Sequence, residues 1–246
     1  MRNFKMILQY EGTRYKGWQR QESTEHTIQG KLEGILSKMA GTPVEIQGSG
    51  RTDAGVHALG QVANFKTNSQ IPIEKFAIAI NSRLKKSIVI KKAEEVDERF
   101  HSRLNCKRKT YRYIINNSPY GTAIYRYLET HIPQKLNVEK MKKAVKYFIG
   151  EHDFKAFKAS GTSSKSSVRT IYDAKIYQNG DKIYIELTGN GFLYNMVRII
   201  AGTLVEVGLE KIEPEKIEEI IKEGKRENAG KTLPPNGLYL VDVKYE

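Results

Sequence analysis

Apolar residues fall at every second position from Phe4 through Met6 and Leu8 to Tyr10, the spacing of a strand with one buried face. The period then changes. Ile28, Leu32, Ile35, Leu36 and Met39 recur at helical spacing, with Thr27 placed to cap the first turn. Two strand-like runs follow, Pro43 to Gln47 and Gln61 to Phe65. Pro72 stands where a helix through Phe76, Ile78 and Ile80 would open, and Ser87 to Ile90 begins another strand. The predicted order is βαββαβ.

A polar, basic connection over residues 97–108 leads into a second series. Tyr111, Tyr113 and Ile115 alternate as in a strand. Asn137 can cap a helix carrying Val138, Met141, Val145 and Phe148, with Gly150 as its stop. Residues 168–178 and 182–188 read as a hairpin around Asn179-Gly180. Phe192, Leu193, Met196, Val197, Ile200 and Leu204 form a helical apolar face, a short acidic helix follows Pro214, and Leu238 to Tyr245 closes as a strand. Apart from one extra helix this is βαββαβ again. Two copies of that order predict an α+β chain of two ferredoxin-like halves, with antiparallel sheets side by side and a basic cleft between them. The division falls into residues 1–105, carrying the most reactive loop, and 106–246, completing the site. Residues 160–167, small, polar and basic without periodicity, read as a surface loop or one that orders on RNA.

Charge sharpens the picture. The 246 residues carry 41 Lys and Arg against 28 Asp and Glu, a net +13 that favours a polyanionic partner. Residues 75–92, 102–112 and 154–172 each hold several cations and no acid, whereas acid gathers between Glu210 and Glu223. One face can therefore follow a phosphate backbone. The loop from Glu11 to Arg20 mixes cations with Tyr15 and Trp18, which suits a nucleic-acid surface and equally a loop anchored to the core by its tryptophan. A single cysteine, Cys106, excludes an intrachain disulfide, and five dispersed histidines without an HxxxH pair predict no metal site. No run of about 18 apolar residues is present, and the N-terminus lacks a leader pattern. The expectation is a cytoplasmic protein without metal or membrane.

Candidate chemistry concentrates in GSGRTDAGVHALGQVANF, residues 48–65. Gly48, Gly50 and Gly55 allow a tight turn and close approach to a ligand. Between them stand a cation, a hydroxyl and a carboxylate: Arg51, Thr52 and Asp53. His57 follows. Composition alone fits an ordinary turn with a surface ion pair as well as a site. The stretch is neither a phosphate loop nor a dinucleotide fingerprint.

The string GRTDAGVHA with the downstream GQV resembles the signature of the TruA family of tRNA pseudouridine synthases. Further blocks follow in order along nearly the whole chain: YEGTRYKGWQRQ from Tyr10, Phe100-His101-Ser102-Arg103, Lys109-Thr110-Tyr111-Arg112-Tyr113, Gly150-Glu151-His152-Asp153-Phe154, the GFLYNMVR run ending at Arg198, and Pro234-Pro235-Asn236-Gly237-Leu238. Ser49, Leu233 and the Lys85-Lys86-Ser87-Ile88 continuation depart from the family's usual residues.

The resemblance implies isomerisation of uridine to pseudouridine at positions 38, 39 and 40 of the tRNA anticodon arm, by a homodimer. This reaction involves no redox change and needs no cofactor. It implies Asp53 as the catalytic carboxylate, acting on the base, on the sugar carbon or on a sugar proton. It implies Arg198 as the arginine pairing with that carboxylate, where the residue alone also reads as a helix arginine covering apolar surface. It implies Tyr111 as the ring stacking on the target base, where the pattern alone gives a core aromatic of a strand. Arg51 is a candidate for filling the gap left by a flipped base or holding a phosphate. Thr52 and His57 are further substrate-contact candidates, His57 reading more readily as a structural hydrogen bond. Three other readings stay open: a paralogue acting on ribosomal RNA, an RNA-binding module without catalysis, and a phosphodiesterase using Asp53 with His57.

Overall fold

The alternation at Phe4, Met6, Leu8 and Tyr10 builds the first strand of a computed structural model that describes residues 1–161 and 166–246. Residues 162–165, within the predicted polar loop, lie outside the described residues. In chain order the elements are β1 (Arg2–Tyr10), α1 (Ile28–Ala40), β2 (Ile46–Gly48), β3 (His57–Thr67), α2 (Ile73–Asn81), β4 (Ile88–Val96), β5 (Arg108–Asn116), β6 (Thr130–His131), α3 (Val138–Val145), β7 (Gly150–Asp153), β8 (Val168–Asn179), β9 (Lys182–Gly189), α4 (Met196–Gly208), α5 (Lys216–Glu223) and β10 (Leu238–Lys244). The chain is α+β, and its strands pair mostly antiparallel. It forms two compact units, Met1–Lys107 with Tyr239–Glu246, and Arg108–Leu238.

In the first unit the strands run β4-β1-β3-β10, with β2 on β3. Antiparallel pairing sets Phe4 opposite Phe65 and Met6 opposite Ala63, so the apolar positions of both strands share one face. Phe4, Phe65 and Phe76 of α2 bury together with ring centroids 4.8, 5.7 and 5.8 Å apart. Burying each ring contributes about 1.5–3 kcal/mol. Thr27 caps α1 by accepting from Gly30 N, and Gly41 ends it in the left-handed region at φ 71°. The segment predicted as a bare connection does more. Asn3 donates to the carbonyls of Asp97 and Phe100 (both 2.9 Å), and Asn64 accepts from Ser102 N at 2.8 Å. Residues 97–102 are thereby fastened to β1 and β3. Of the predicted strand at Pro43 to Gln47 only Ile46 and Gln47 are in strand β2, because Val44 N is taken by the Ser37 hydroxyl instead of a strand neighbour.

In the second unit the order is β5-β9-β8-β7, with β6 parallel to β5. The hairpin β8–β9 turns at Gly180, φ 57°. Asn137 caps α3 by accepting from Lys140 N. Two expectations shift. The helix expected to run to Gly150 ends at Val145 in a 3-10 turn, and Gly150, at φ 115°, opens β7. Phe192 and Leu193 precede α4 rather than lying in it, because Asn195 adopts a left-handed φ of 59° and begins the helix anew. The closing strand also differs from a division at residues 105 and 106. From Tyr239 onward it belongs to the first unit, where β10 pairs parallel to β3 with Tyr239 opposite His57 and Leu240 opposite Ala58.

Two glycines of the first unit answer to different constraints. A Cβ at Gly12 would lie 2.0 Å from the Val56 carbonyl oxygen, backbone that cannot yield without moving the loop, whereas a Cβ at Gly34, on the exposed side of α1, meets nothing within 4 Å. Gly12→Ala is expected to destabilise the fold by about 1–3 kcal/mol or more through overpacking. Gly34→Ala is expected to stabilise it by about 0.5–1 kcal/mol. Urea unfolding of both variants beside the wild type checks the pair.

Candidate active site

β2 ends at Gly48 and β3 begins at His57, so the reactive triplet hangs in the intervening loop of the first unit. Its conformation is set from three sides. Val56 N donates to Asp53 O at 3.1 Å and closes a turn in which Gly55 takes φ 80°. From a second side comes the segment after β1. Trp18 N donates to Thr52 O at 3.0 Å, and Gly55 N reaches Tyr15 O at 3.4 Å. Gly17, at φ 90°, leaves no room for a side chain against the Thr52 carbonyl, 2.7 Å from its would-be Cβ. Trp18 itself is core, 2% exposed, with its indole lying on Gly48. A Cβ at Gly48 would sit 2.5 Å from that ring. Of the two readings of this loop, the anchor is the one the geometry carries.

The third side is buried and polar. Gln61, fully buried on β3, accepts from the Ser49 hydroxyl (2.7 Å) and from Val62 N (3.1 Å), and donates to the Gly50 carbonyl (3.0 Å). The Tyr10 hydroxyl lies 2.8 Å from that of Thr52. Burial pushes the Tyr10 phenol well above its ordinary value, so it stays neutral and can donate. Gln61, Tyr10 and Ser49 were not singled out from the sequence as site residues. The available signal was a glutamine at a core-facing position of β3, opposite Leu8 in the register.

The candidate residues separate by environment. Arg51 is exposed and donates Nε to the Gln19 side-chain oxygen at 3.0 Å. Asp53 is half-buried. Thr52 and His57 face inward. The His57 Nδ1 accepts from Gly12 N at 3.0 Å, its ring stacks on Tyr239 at 4.7 Å, and it is 1% exposed. That environment gives His57 a part in holding the first segment against the loop.

Tyr111 and Arg198 belong to the second unit. Tyr111, on β5 opposite Leu187, is 7% exposed and meets Phe192 edge-on at 5.0 Å. Phe192 thus braces the ring from the turn that Asn195 creates. Arg198, half-buried in the first turn of α4, spreads its guanidinium between two acceptors: Nε donates to Leu233 O and Nη1 to Asn195 Oδ1, each at 2.7 Å. Nearby, the Tyr113 phenol contacts Thr130 Oγ1 (2.6 Å) and donates to Pro234 O (2.7 Å). Burial raises its pKa, against the pull of the Thr130 bond and the Arg198 charge. Among the described residues no group of three or more His, Cys, Asp or Glu is placed to hold a metal ion, and no helix is long and apolar enough to cross a membrane.

Set beside known proteins, the chain matches the profile of a family described as tRNA pseudouridine synthase over residues 6–105 and 144–246. It is 50% identical to the tRNA pseudouridine synthase A of Acetivibrio thermocellus, with all of both chains covered. It is 51% identical to that of Ruminiclostridium cellulolyticum and 51% identical to tRNA pseudouridine synthase A 2 of Clostridium perfringens, again over the full length of each.

Replacing His57 by alanine strips the Gly12 amide of its acceptor and Tyr239 of its stacking partner. The expected cost is about 2–4 kcal/mol, combining an unsatisfied buried donor with a cavity, read as a lower urea midpoint.

Proposed function

The chain belongs to the tRNA pseudouridine synthase family, isomerases that convert uridine to pseudouridine in tRNA, and we propose that it acts at positions 38, 39 and 40 of the anticodon arm with Asp53 as its nucleophile. In this isomerisation the bond from N1 of the base to the sugar is broken. The base turns, C5 is joined to the same sugar carbon, the C5 hydrogen leaves as a proton and N1 gains one. Asp53 supplies the carboxylate that forms the covalent intermediate. Arg198 is the arginine that the family resemblance pairs with that carboxylate, a cation favouring its ionised form. Tyr111 stacks on the target ring. Arg51, exposed beside Asp53, holds a phosphate or the space vacated by the flipped nucleotide. Thr52 and His57 hold the loop from within.

The observation that supports Asp53 most directly is its setting. It is a half-buried carboxylate on a loop tied down on three sides, in a protein whose net charge is +13. A surface that only bound RNA would gain nothing from an acid among phosphates. Two ferredoxin-like halves, with the closing strand counted in the first, are the arrangement we propose for the chain, and the cytoplasm its place of action.

We also propose a homodimer, formed through the sheet face of the second unit that carries Arg112, Tyr177 and Tyr184. Tyr177 and Tyr184 stack at 4.9 Å. The three cations of this face are matched by three carboxylates: Arg112 by Glu186, Lys175 by Glu186 and Asp173, and Lys182 by Glu129. Burial would raise the Glu186 carboxyl, but the bond and charge of Arg112 outweigh it and hold the group below its usual range. A face with aromatic area and no surplus charge suits a second copy of the chain better than a phosphate backbone.

Two measurements test these readings. Wild type is expected to release tritium from C5-labelled uridine in an unmodified tRNA transcript, and Asp53→Asn to lose at least about a thousandfold in rate while binding the transcript within a few-fold. Appreciable turnover by the variant removes Asp53 from the nucleophile role. In sedimentation equilibrium the wild type is expected as a dimer at micromolar concentration. Tyr177→Glu, placing a second carboxylate beside Glu186, should weaken association at least about tenfold, and an unchanged dimer would move the interface elsewhere.

A further inference from the structure

Gln61 is an anomaly of position. Its neighbours on the same face of β3, Ala63 and Phe65, are core, and it sits opposite Leu8. A buried amide at such a place costs about 1–3 kcal/mol unless its hydrogen bonds are made. Here they are made, and to the loop: Oε1 to Ser49 Oγ at 2.7 Å and Nε2 to Gly50 O at 3.0 Å. From the adjacent strand, the Tyr10 hydroxyl meets Thr52 Oγ1 at 2.8 Å. Residues 49, 50 and 52 are therefore each tied by a side chain to the strands beneath, and Asp53 is the next residue along.

We propose that Gln61, with Tyr10 as a second tether, is a positioning residue that sets where the Asp53 carboxylate stands. This rests on the reading of Asp53 as nucleophile. Attack requires the reacting atoms at about 3–3.5 Å with their orbitals aligned, and a misplacement of about 1 Å costs on the order of a hundredfold in rate. The backbone bonds Trp18 N to Thr52 O and Val56 N to Asp53 O fix the turn. Upstream of the turn, Ser49 N is held by Val62 O at 2.7 Å, and Gln61 adds the bonds to the Ser49 hydroxyl and the Gly50 carbonyl. Neither Gln61 nor the Tyr10 hydroxyl is exposed, since both residues are 2% accessible or less. Their removal should alter the chemical step rather than the grip on RNA.

The test is steady-state tritium release from the C5-labelled transcript by wild type, Gln61→Met, Tyr10→Phe and Asp53→Asn, with thermal unfolding of each. Gln61→Met keeps the volume and removes every side-chain bond, and Tyr10→Phe removes a single oxygen. Folded Gln61→Met is expected to lose about 10–100-fold in kcat and Tyr10→Phe about 3–10-fold, with KM and transcript affinity within about twofold. A kcat within twofold of wild type in the folded variants overturns the proposal, as does a loss confined to KM. Should Gln61→Met not fold, Tyr10→Phe decides by the same criteria. Asp53→Asn separates the two readings. If it turns over, the nucleophile reading falls and this one with it. If it is inert while the other variants are unimpaired, only the positioning role falls.

Discussion

The first unit depends on one close approach, the backbone of residues 11–18 lying directly on the backbone of residues 51–56. Two peptide segments can pack at that distance only where no Cβ stands between them, and Gly12 and Gly17 supply the gaps. With the segments in contact, Trp18 N and Gly55 N find acceptors across the seam, and the Gly12 amide finds His57. Each bond is modest, about 1 kcal/mol net. Their shared effect is to leave a loop rich in glycine with few conformations to visit. A carboxylate on such a loop is a usable nucleophile, since its position is decided before a substrate arrives.

The second unit reaches a similar end by other means. Arg198 is aimed by acceptors on both sides of its guanidinium, one a backbone carbonyl and one the Asn195 side chain. A lysine has no planar fork with which to span them. Asn195 serves twice, because its left-handed backbone also swings Phe192 out of the helix and against the edge of Tyr111. A polar cap, a strained dihedral and an aromatic brace thus combine to fix two side chains from one turn. The strain at a non-glycine residue with positive φ, of order 1 kcal/mol or more, is offset locally by that packing.

Much of this was legible in the sequence, and the boundary has a physical cause. Strand alternation and helical spacing are local, so β1, α1, α2, β5, α3 and the β8–β9 hairpin follow from a few consecutive residues, as do the caps at Thr27 and Asn137. The start of α4 is not legible because apolar spacing continues smoothly through Phe192 and Leu193 while the backbone does not, and nothing in hydrophobicity marks a left-handed asparagine. The parallel pairing of β10 with β3 had no local signal at all, since its partner lies far back along the chain. The site divides the same way. Arg51, Thr52 and Asp53 stand out as a string. The seam that holds them joins segments distant in sequence, and Gly12 and Gly17 read only as loop glycines until the partner backbone is seen.

Gln61 shows what a sequence can offer when its periods are taken seriously. The face of β3 that meets β1 alternates in step with Leu8, Met6 and Phe4, and a glutamine there breaks an otherwise apolar register. A leucine in its place would bury comparable apolar area with no polar group to satisfy, so stability alone gives no reason for an amide. It would also leave the Gly50 carbonyl without its donor and the Ser49 hydroxyl without its acceptor, under a loop that must hold still. The core therefore accepts a polar side chain because its other end is a fixed point for the loop above. A register violation whose amide reaches the Ser49 hydroxyl and the Gly50 carbonyl is a stronger pointer to that loop than the loop's own composition, since turns rich in glycine and charge are common and a buried amide is costly unless its bonds are made.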